Sequence, residues 1–219
     1  MKTVERLRKD SDSIWRSIID HPFVVDLCAG ELPLDKFRFY ILQDYHYLTT
    51  AMKNFGVIAS RADSVKDLRE VVDILHLEAT SEFEGYTDFL GRLGHTVEDA
   101  SETEPIPVSV SYSSFLLATS STRSFPESIT SVLPCFWSYA EIASHHRDRL
   151  SANPNRLYRD WAGVYLSDSY LSLVEKLKEM VDRAGEGFPY DKLKEVFITA
   201  SRYEYMFWDA VNKVEKWPV

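Results

Sequence analysis

Three side chains stand where their chemistry does not suit their surroundings. Asp44 falls inside an apolar stripe of Phe37, Tyr40, Ile41, Tyr47, Leu48 and Ala51, spaced as one face of a helix. Glu204 lies in the same way among Val196, Phe197, Ala200, Tyr203, Phe207, Trp208 and Val211. A carboxylate aimed at a core is costly unless it is paired or protonated. Burial also raises its pKa, which suits a general acid or base. For each acid two readings stand. Asp44 is either a structural acid satisfied by tyrosine hydroxyls or an arginine, or a ligand contact. Glu204 is either half of a buried salt bridge, to Arg202 or another helix, or an acid–base group. The third side chain is Cys135, in Leu-Pro-Cys-Phe-Trp-Ser-Tyr, on one face with Val132, Tyr139 and Ile142. A free cysteine in such a setting is usually a small inert hydrophobe. Pro134 just before it and Tyr139 one turn later are the company a reactive thiol needs for orientation. Cys28 has no such company and reads as packing. Tyr112 and Tyr165 have apolar helical neighbours and read as core or pocket wall.

These positions require long helices to carry them. The periodicity predicts an all-α chain of about seven to nine helices. They run from Thr3 to Asp20, from Pro22 to Cys28, from Leu34 to Ala62 and from Val65 to Leu93. Others follow from Val108 to Ser121, from Pro126 to Leu150, from Asn153-Pro154 to Tyr165, onward to Ala184, and from Pro189 to Val214. His21-Pro22 breaks the first, Gly30 and Gly94 stop others, and Asp63 or Ser64 caps the helix from Val65. The acidic stretch from His95 to Pro107 reads as a solvated connection long enough to suggest a role. A Val/Ser alternation at 108–113 resembles a strand but has nothing to pair with. Nothing reads as a linker, so residues 1–219 are expected to form a single domain.

Composition narrows the class. The chain has 219 residues, 45% hydrophobic and 27% charged, which excludes a disordered chain. No run approaches the roughly 18 apolar residues of a membrane span, and the charged start MKTVERLRKD has no signal-peptide core. The net charge of −9 disfavours nucleic acid as a partner. Two cysteines suit free thiols in a reducing compartment better than a disulfide framework. No glycine-rich phosphate loop or Gly-x-Ser-x-Gly elbow is present. His76 with Glu78 and Glu82 is the one place where carboxylates and a histidine approach metal-site composition, but the spacing lacks the paired motifs of di-iron bundles. No metal is expected.

Four blocks, in order, resemble the TenA/THI-4 family of thiamin-salvage proteins, of the thiaminase II type. They are the stretch from Ile14 to Val24, Gly-Glu-Leu-Pro-Leu-Asp-Lys-Phe-Arg-Phe-Tyr from Gly30 on to Leu48, Leu133 to Ile142, and Phe197 to Ala210. One departure is Ala143-Ser144, where the family usually has glycine. The resemblance implies a haem-oxygenase-like helical fold, a cytoplasmic homotetramer, and no metal or organic cofactor. It implies hydrolysis of aminomethylpyrimidine or thiamin, small-molecule substrates, to hydroxymethylpyrimidine. By position, Cys135 matches the family nucleophile and Glu204 its acid–base carboxylate. Asp44 matches the acid that holds the pyrimidine edge, and Tyr47, Tyr112, Tyr139 and Tyr165 match tyrosines of the pocket. Two rivals remain. One is a non-catalytic pyrimidine- or thiamin-binding protein. The other is a haem or di-iron oxidase on the same fold, using His21 and the Glu78/Glu82 region.

Overall fold

Residues 1–219, described by a computed structural model, form helices joined by short turns, with no strand. In order these are α1 (Thr3–Asp10), α2 (Asp12–Ile19), α3 (Pro22–Ala29), α4 (Leu34–Ser60), α5 (Val65–Leu77), a π-helical segment (Glu78–Glu82) and α6 (Phe83–Arg92). There follow α7 (Val97–Glu102), α8 (Pro107–Thr122), α9 (Phe125–His145), α10 (Arg147–Ala152), α11 (Arg156–Tyr165), α12 (Asp168–Ala184) and α13 (Tyr190–Lys213). No helix is long and apolar enough to cross a membrane.

The differences from the sequence reading have local causes. The first expected helix divides at Ser11, whose hydroxyl donates to the carbonyls of Leu7 at 2.9 Å and Arg8 at 3.1 Å. A serine that bonds back to the preceding turn competes with the helical ladder. The connection after Gly94 is not wholly a loop. Thr96 and Asp99 cap each other's backbone to start α7, and Ala100 is buried beneath it. The helix expected from Pro126 to Leu150 ends at His145. His146 then turns inward so that its Nε2 meets the Ile19 carbonyl at 2.8 Å, and α10 begins. The helix expected from Val65 to Leu93 is continuous in space but widens into a π turn at its middle. Such turns occur often at functional sites.

α9 is the central element. Between Phe125 and Ala143 every side chain is buried except Cys135, Trp137 and Glu141. A helix apolar on all sides belongs inside a bundle, and α9 packs against α13, α12, α8 and α2. α4 lies against α8 and α5. Aromatic rings join these layers. Tyr40 of α4 stacks on Trp208 of α13 with centroids 5.4 Å apart, and Tyr139 of α9 sits 5.2 Å from the same indole. Trp15 of α2 stacks on Phe197 at 5.8 Å and donates its N–H to Ser201 Oγ at 3.0 Å. Within α9, Pro134 cannot donate to the carbonyl one turn back, which loosens the ladder just before Cys135.

Gln43 fixes the site helices relative to one another. Its amide donates to the Glu104 carbonyl at 3.0 Å, and its carbonyl accepts from the Ile106 N–H at 2.9 Å. The start of α8, and with it Tyr112, is thereby tied to the residue beside Asp44. Removing one member of a buried pair leaves backbone groups unsatisfied. Gln43→Ala is expected to lower stability by about 2 kcal/mol, measured by denaturant unfolding.

Candidate active site

Five elements converge on one cavity. α4 supplies Asp44, Tyr47 and Leu48, the π segment supplies Glu78 and Glu82, and α9 supplies Cys135, Phe136 and Tyr139. Tyr165 from α11 and Tyr170 from α12 close it. About 370 Å³ of empty space lies between them, part of it open to solvent. Hydrogen bonds fix the walls. Tyr170 donates to the Phe136 carbonyl at 3.1 Å, and the Trp161 N–H donates to the Tyr40 hydroxyl at 3.3 Å. Tyr40 in turn reaches the Tyr139 hydroxyl at 3.5 Å.

Glu204 does not line this space directly. It stands behind Cys135 on α13, only 2% exposed. Tyr112 donates to its Oε1 at 2.7 Å. The Tyr112 ring is held between Tyr47, with centroids 5.4 Å apart, and Tyr203, stacked at 5.1 Å. Burial lifts the Glu204 carboxyl to about 7, against the opposing pull of the Tyr112 hydroxyl, the Cys135 thiol and the Ser138 hydroxyl. The salt-bridge alternative fails here, because Arg202 is exposed and no basic side chain reaches the acid.

Burial also pushes the Cys135 thiol well up, and the charge of Glu204 adds to this, while the Tyr47 hydroxyl pulls it back. A free thiol would be a few per cent thiolate near neutrality; this one rests protonated, and its base must be nearby. Asp44 is raised by burial, then by Glu82 and Glu204, and no hydroxyl or guanidinium meets it. The structural reading of Asp44, with tyrosines or an arginine as partners, therefore has no partners to support it.

The remaining groups separate cleanly. Cys28 is fully buried and its thiol is pushed up to about 12 by burial, as a packing residue. His21 is buried at the α3 N-terminus, where its ring accepts the Phe23 N–H at 3.2 Å, away from the cavity lining. His76 is exposed, and no three His, Cys, Asp or Glu side chains converge as metal ligands.

A model of the TENA/THI-4/PQQC family matches residues 8–213. The chain belongs to that family. It is 32% identical to an aminopyrimidine aminohydrolase of Helicobacter pylori, over 95% of this chain and 98% of that protein. The structure superposes on a TenA homologue from P. horikoshii with a TM-score of 0.94 and 43% identity, over 98% of this chain and 100% of that one. It also superposes on a Shewanella denitrificans domain with a haem-oxygenase-like fold, at a TM-score of 0.77 and 17% identity, over 96% and 92% of the two chains. The fold is therefore the haem-oxygenase-like bundle that the four sequence blocks implied.

Within this TENA/THI-4/PQQC fold, Asp44, Tyr47, Cys135, Tyr139 and Tyr165 share one cavity wall, and Tyr112 and Glu204 form the layer behind it. Sequence reasoning missed Leu48, Phe136 and Tyr170 as lining. It noticed Glu78 and Glu82 only as metal-site candidates. The Ser167 hydroxyl accepts from the Tyr170 N–H at 3.2 Å, so this cap was legible, but not the direction of the ring.

Glu204 carries a pH signature. Its folded-state pKa of about 7 exceeds the ordinary glutamate value of 4.5, so the folded chain binds the extra proton in between. Stability from this group is fully present below about 4.5 and is lost as pH rises through about 7. Glu204→Gln removes the dependence. The variant is expected to match the parent near pH 4.5 and to exceed it by up to about 3 kcal/mol near pH 8, read from denaturant unfolding across that range.

Proposed function

We propose that this protein is an aminopyrimidine aminohydrolase of thiamin salvage. It hydrolyses the bond between a leaving group and the methylene carbon of a 4-amino-2-methylpyrimidine, releasing hydroxymethylpyrimidine. The observation that carries this reading is a cavity lined by Asp44 and Cys135, with the Tyr112-bonded Glu204 standing directly behind the thiol. The full-length likeness to relatives bearing the name aminopyrimidine aminohydrolase supports it. The reading includes a cytoplasmic homotetramer, as the family resemblance implies.

A pyrimidine is apolar on its faces and polar on its edge. Tyr47, Tyr139 and Tyr165 offer aromatic surface to the faces. A burial-neutralised Asp44 presents one O–H and one carbonyl oxygen. Those match a ring nitrogen that accepts and an exocyclic amino group that donates. Passing its O–H proton to that ring nitrogen leaves a carboxylate that takes a proton from the amino group.

The protons balance through Glu204. As a carboxylate it takes the Cys135 proton, and the thiolate adds to the electron-poor ring carbon. Glu204 then gives that proton to the adjacent ring nitrogen. The amino nitrogen loses a proton to Asp44 and pushes electrons through the ring, so the methylene–leaving-group bond breaks with its pair on the leaving group. Water adds to the exposed methylene and releases one proton to solvent; Asp44 and Glu204 return the amino group and ring nitrogens to their starting protonation, the ring electrons return, and the expelled thiolate takes its proton back from Glu204. Proton transfer of this kind typically contributes about 10²–10⁴-fold. A pKa of about 7 lets Glu204 serve in both directions near neutrality.

Cys135→Ser is expected to keep folding and pyrimidine binding while turnover falls by about 10³-fold or more. Product analysis by mass spectrometry with aminomethylpyrimidine and thiamin tests this, and undiminished turnover removes the nucleophile from the reading. No product from either substrate in the unsubstituted protein favours a binding protein instead. Glu204→Gln is expected to lower kcat by about 10²–10⁴-fold with little change in KM. Asp44→Asn is expected to weaken hydroxymethylpyrimidine binding about 10-fold or more by calorimetry.

A further inference from the structure

The π segment carries two carboxylates that the mechanism above leaves unused. Glu78 and Glu82 stand four residues apart on one helical face, where like charges repel. Glu78 is only 5% exposed and borders the cavity. No donor and no basic side chain meets it; burial raises its carboxyl, followed by the charges of Glu82 and Asp44. Glu82 is raised by burial alone, again with no partner. A buried acid without a donor is costly. The fold keeps one at Glu78 and sets a half-buried second, Glu82, beside it.

Their position suggests what completes them. Glu82 borders three adjoining cavities. One holds Cys135; one runs toward Tyr86 and Phe89; one opens outward past Ser167 and Ser169. Glu78 borders the first and the last. The linings of all three contain no lysine, arginine or histidine. The pair thus stands between the ring pocket and an outer cavity, with no counter-charge from the protein.

The ring's own chemistry sets the direction. In the pyrimidine of the proposed reaction, the amino group and the methylene occupy neighbouring carbons. An amino group held by Asp44 places the methylene substituent next to Asp44, and the nitrogen that Glu204 protonates lies elsewhere on the ring. The charge of Glu82 raises the Asp44 carboxyl, and the charges of Glu82 and Asp44 raise that of Glu78, which sets the pair beside Asp44 along the cavity lining.

We propose that Glu78 and Glu82 are specificity-determining residues that bind the cationic leaving group, an ammonium or a thiazolium, and release it toward the outer cavity. This rests on the pyrimidine reading of the site. A cation supplies the charge that the two acids lack, and the neutral hydroxymethyl product does not. When the bond breaks, its electron pair stays on the departing nitrogen, so ammonium leaves as ammonia and thiazolium as neutral thiazole. The attraction disappears as the bond breaks, and it therefore strengthens the ground state more than the transition state.

The test uses Glu78→Gln, Glu82→Gln and the double variant in the full chain. The readouts are kinetics with aminomethylpyrimidine and with thiamin, and calorimetry with hydroxymethylpyrimidine. The expected result for the double variant is a rise in KM for a cationic substrate of about 10–100-fold, with kcat not lowered. Affinity for the neutral product should stay within about threefold. A rise confined to one substrate identifies which cation the pair serves and supports the proposal. Equal losses for all three ligands, or no loss for either cation, overturn it. If the unsubstituted protein binds none of the three, the pyrimidine reading itself fails and takes this proposal with it. Glutamine removes the repulsion without changing shape, so thermal unfolding should be unchanged or higher. If Glu78→Gln does not fold, the less buried Glu82→Gln alone decides, by the same comparison of cationic substrate with neutral product.

Discussion

The site depends on buried acids that have no basic partner. Glu78 and Glu204 are buried and Asp44 is half-buried at the cavity wall, and no lysine or arginine reaches any of them. A paired acid would be locked as a carboxylate. Left to hydroxyls and a thiol, Glu204 instead rests near its titration point. The same enclosure keeps Cys135 protonated until a base acts, and puts that base in contact with it. Reactivity is thus built from withheld charge, and the fold's task is to hold those groups dry and close together.

The scaffold meets that task by crossing helices distant in sequence. α9 threads the middle and loosens at Pro134, one residue before the thiol. α4 brings Asp44 alongside, and Gln43 holds the entry to α8 so that Tyr112 reaches Glu204 on α13. The aromatic rings of Tyr40, Tyr139, Trp161 and Trp208 fill the space beneath as one packed group. A small shift of α4 against α9 would change the distance between acid and thiol, and the Tyr40–Tyr139 hydroxyl contact joins the two helices there.

Much of this was legible in the residues. An acid on an apolar stripe identified Asp44 and Glu204 as groups needing an explanation, and the helical period placed their elements. Family resemblance, rather than period, joined them to Cys135. Other features were not legible because they depend on the meeting of segments. Phe136 and Tyr170 line the cavity through ring direction, which sequence spacing does not encode. The π turn at Glu78–Glu82 falls in Glu-Ala-Thr-Ser-Glu, which has too few apolar residues to show a shift of period, so it was hidden inside one long helix. α7 was overlooked because six residues leave little periodicity, although Thr96 and Asp99 form a capping pair. The division at Ser11 depends on a hydroxyl turning back on its own helix, a choice decided by the tertiary contacts of α1 and α2.

The most direct measurement of the central claim is a crystal structure with hydroxymethylpyrimidine bound. The account predicts the ring in the cavity between Tyr47 and Tyr139, its amino edge on Asp44, a ring nitrogen facing Glu204, and the Cys135 sulfur about 3–3.5 Å from the adjacent ring carbon. A ring seated elsewhere, or turned so that neither acid meets its edge and the sulfur faces no ring carbon, would contradict it.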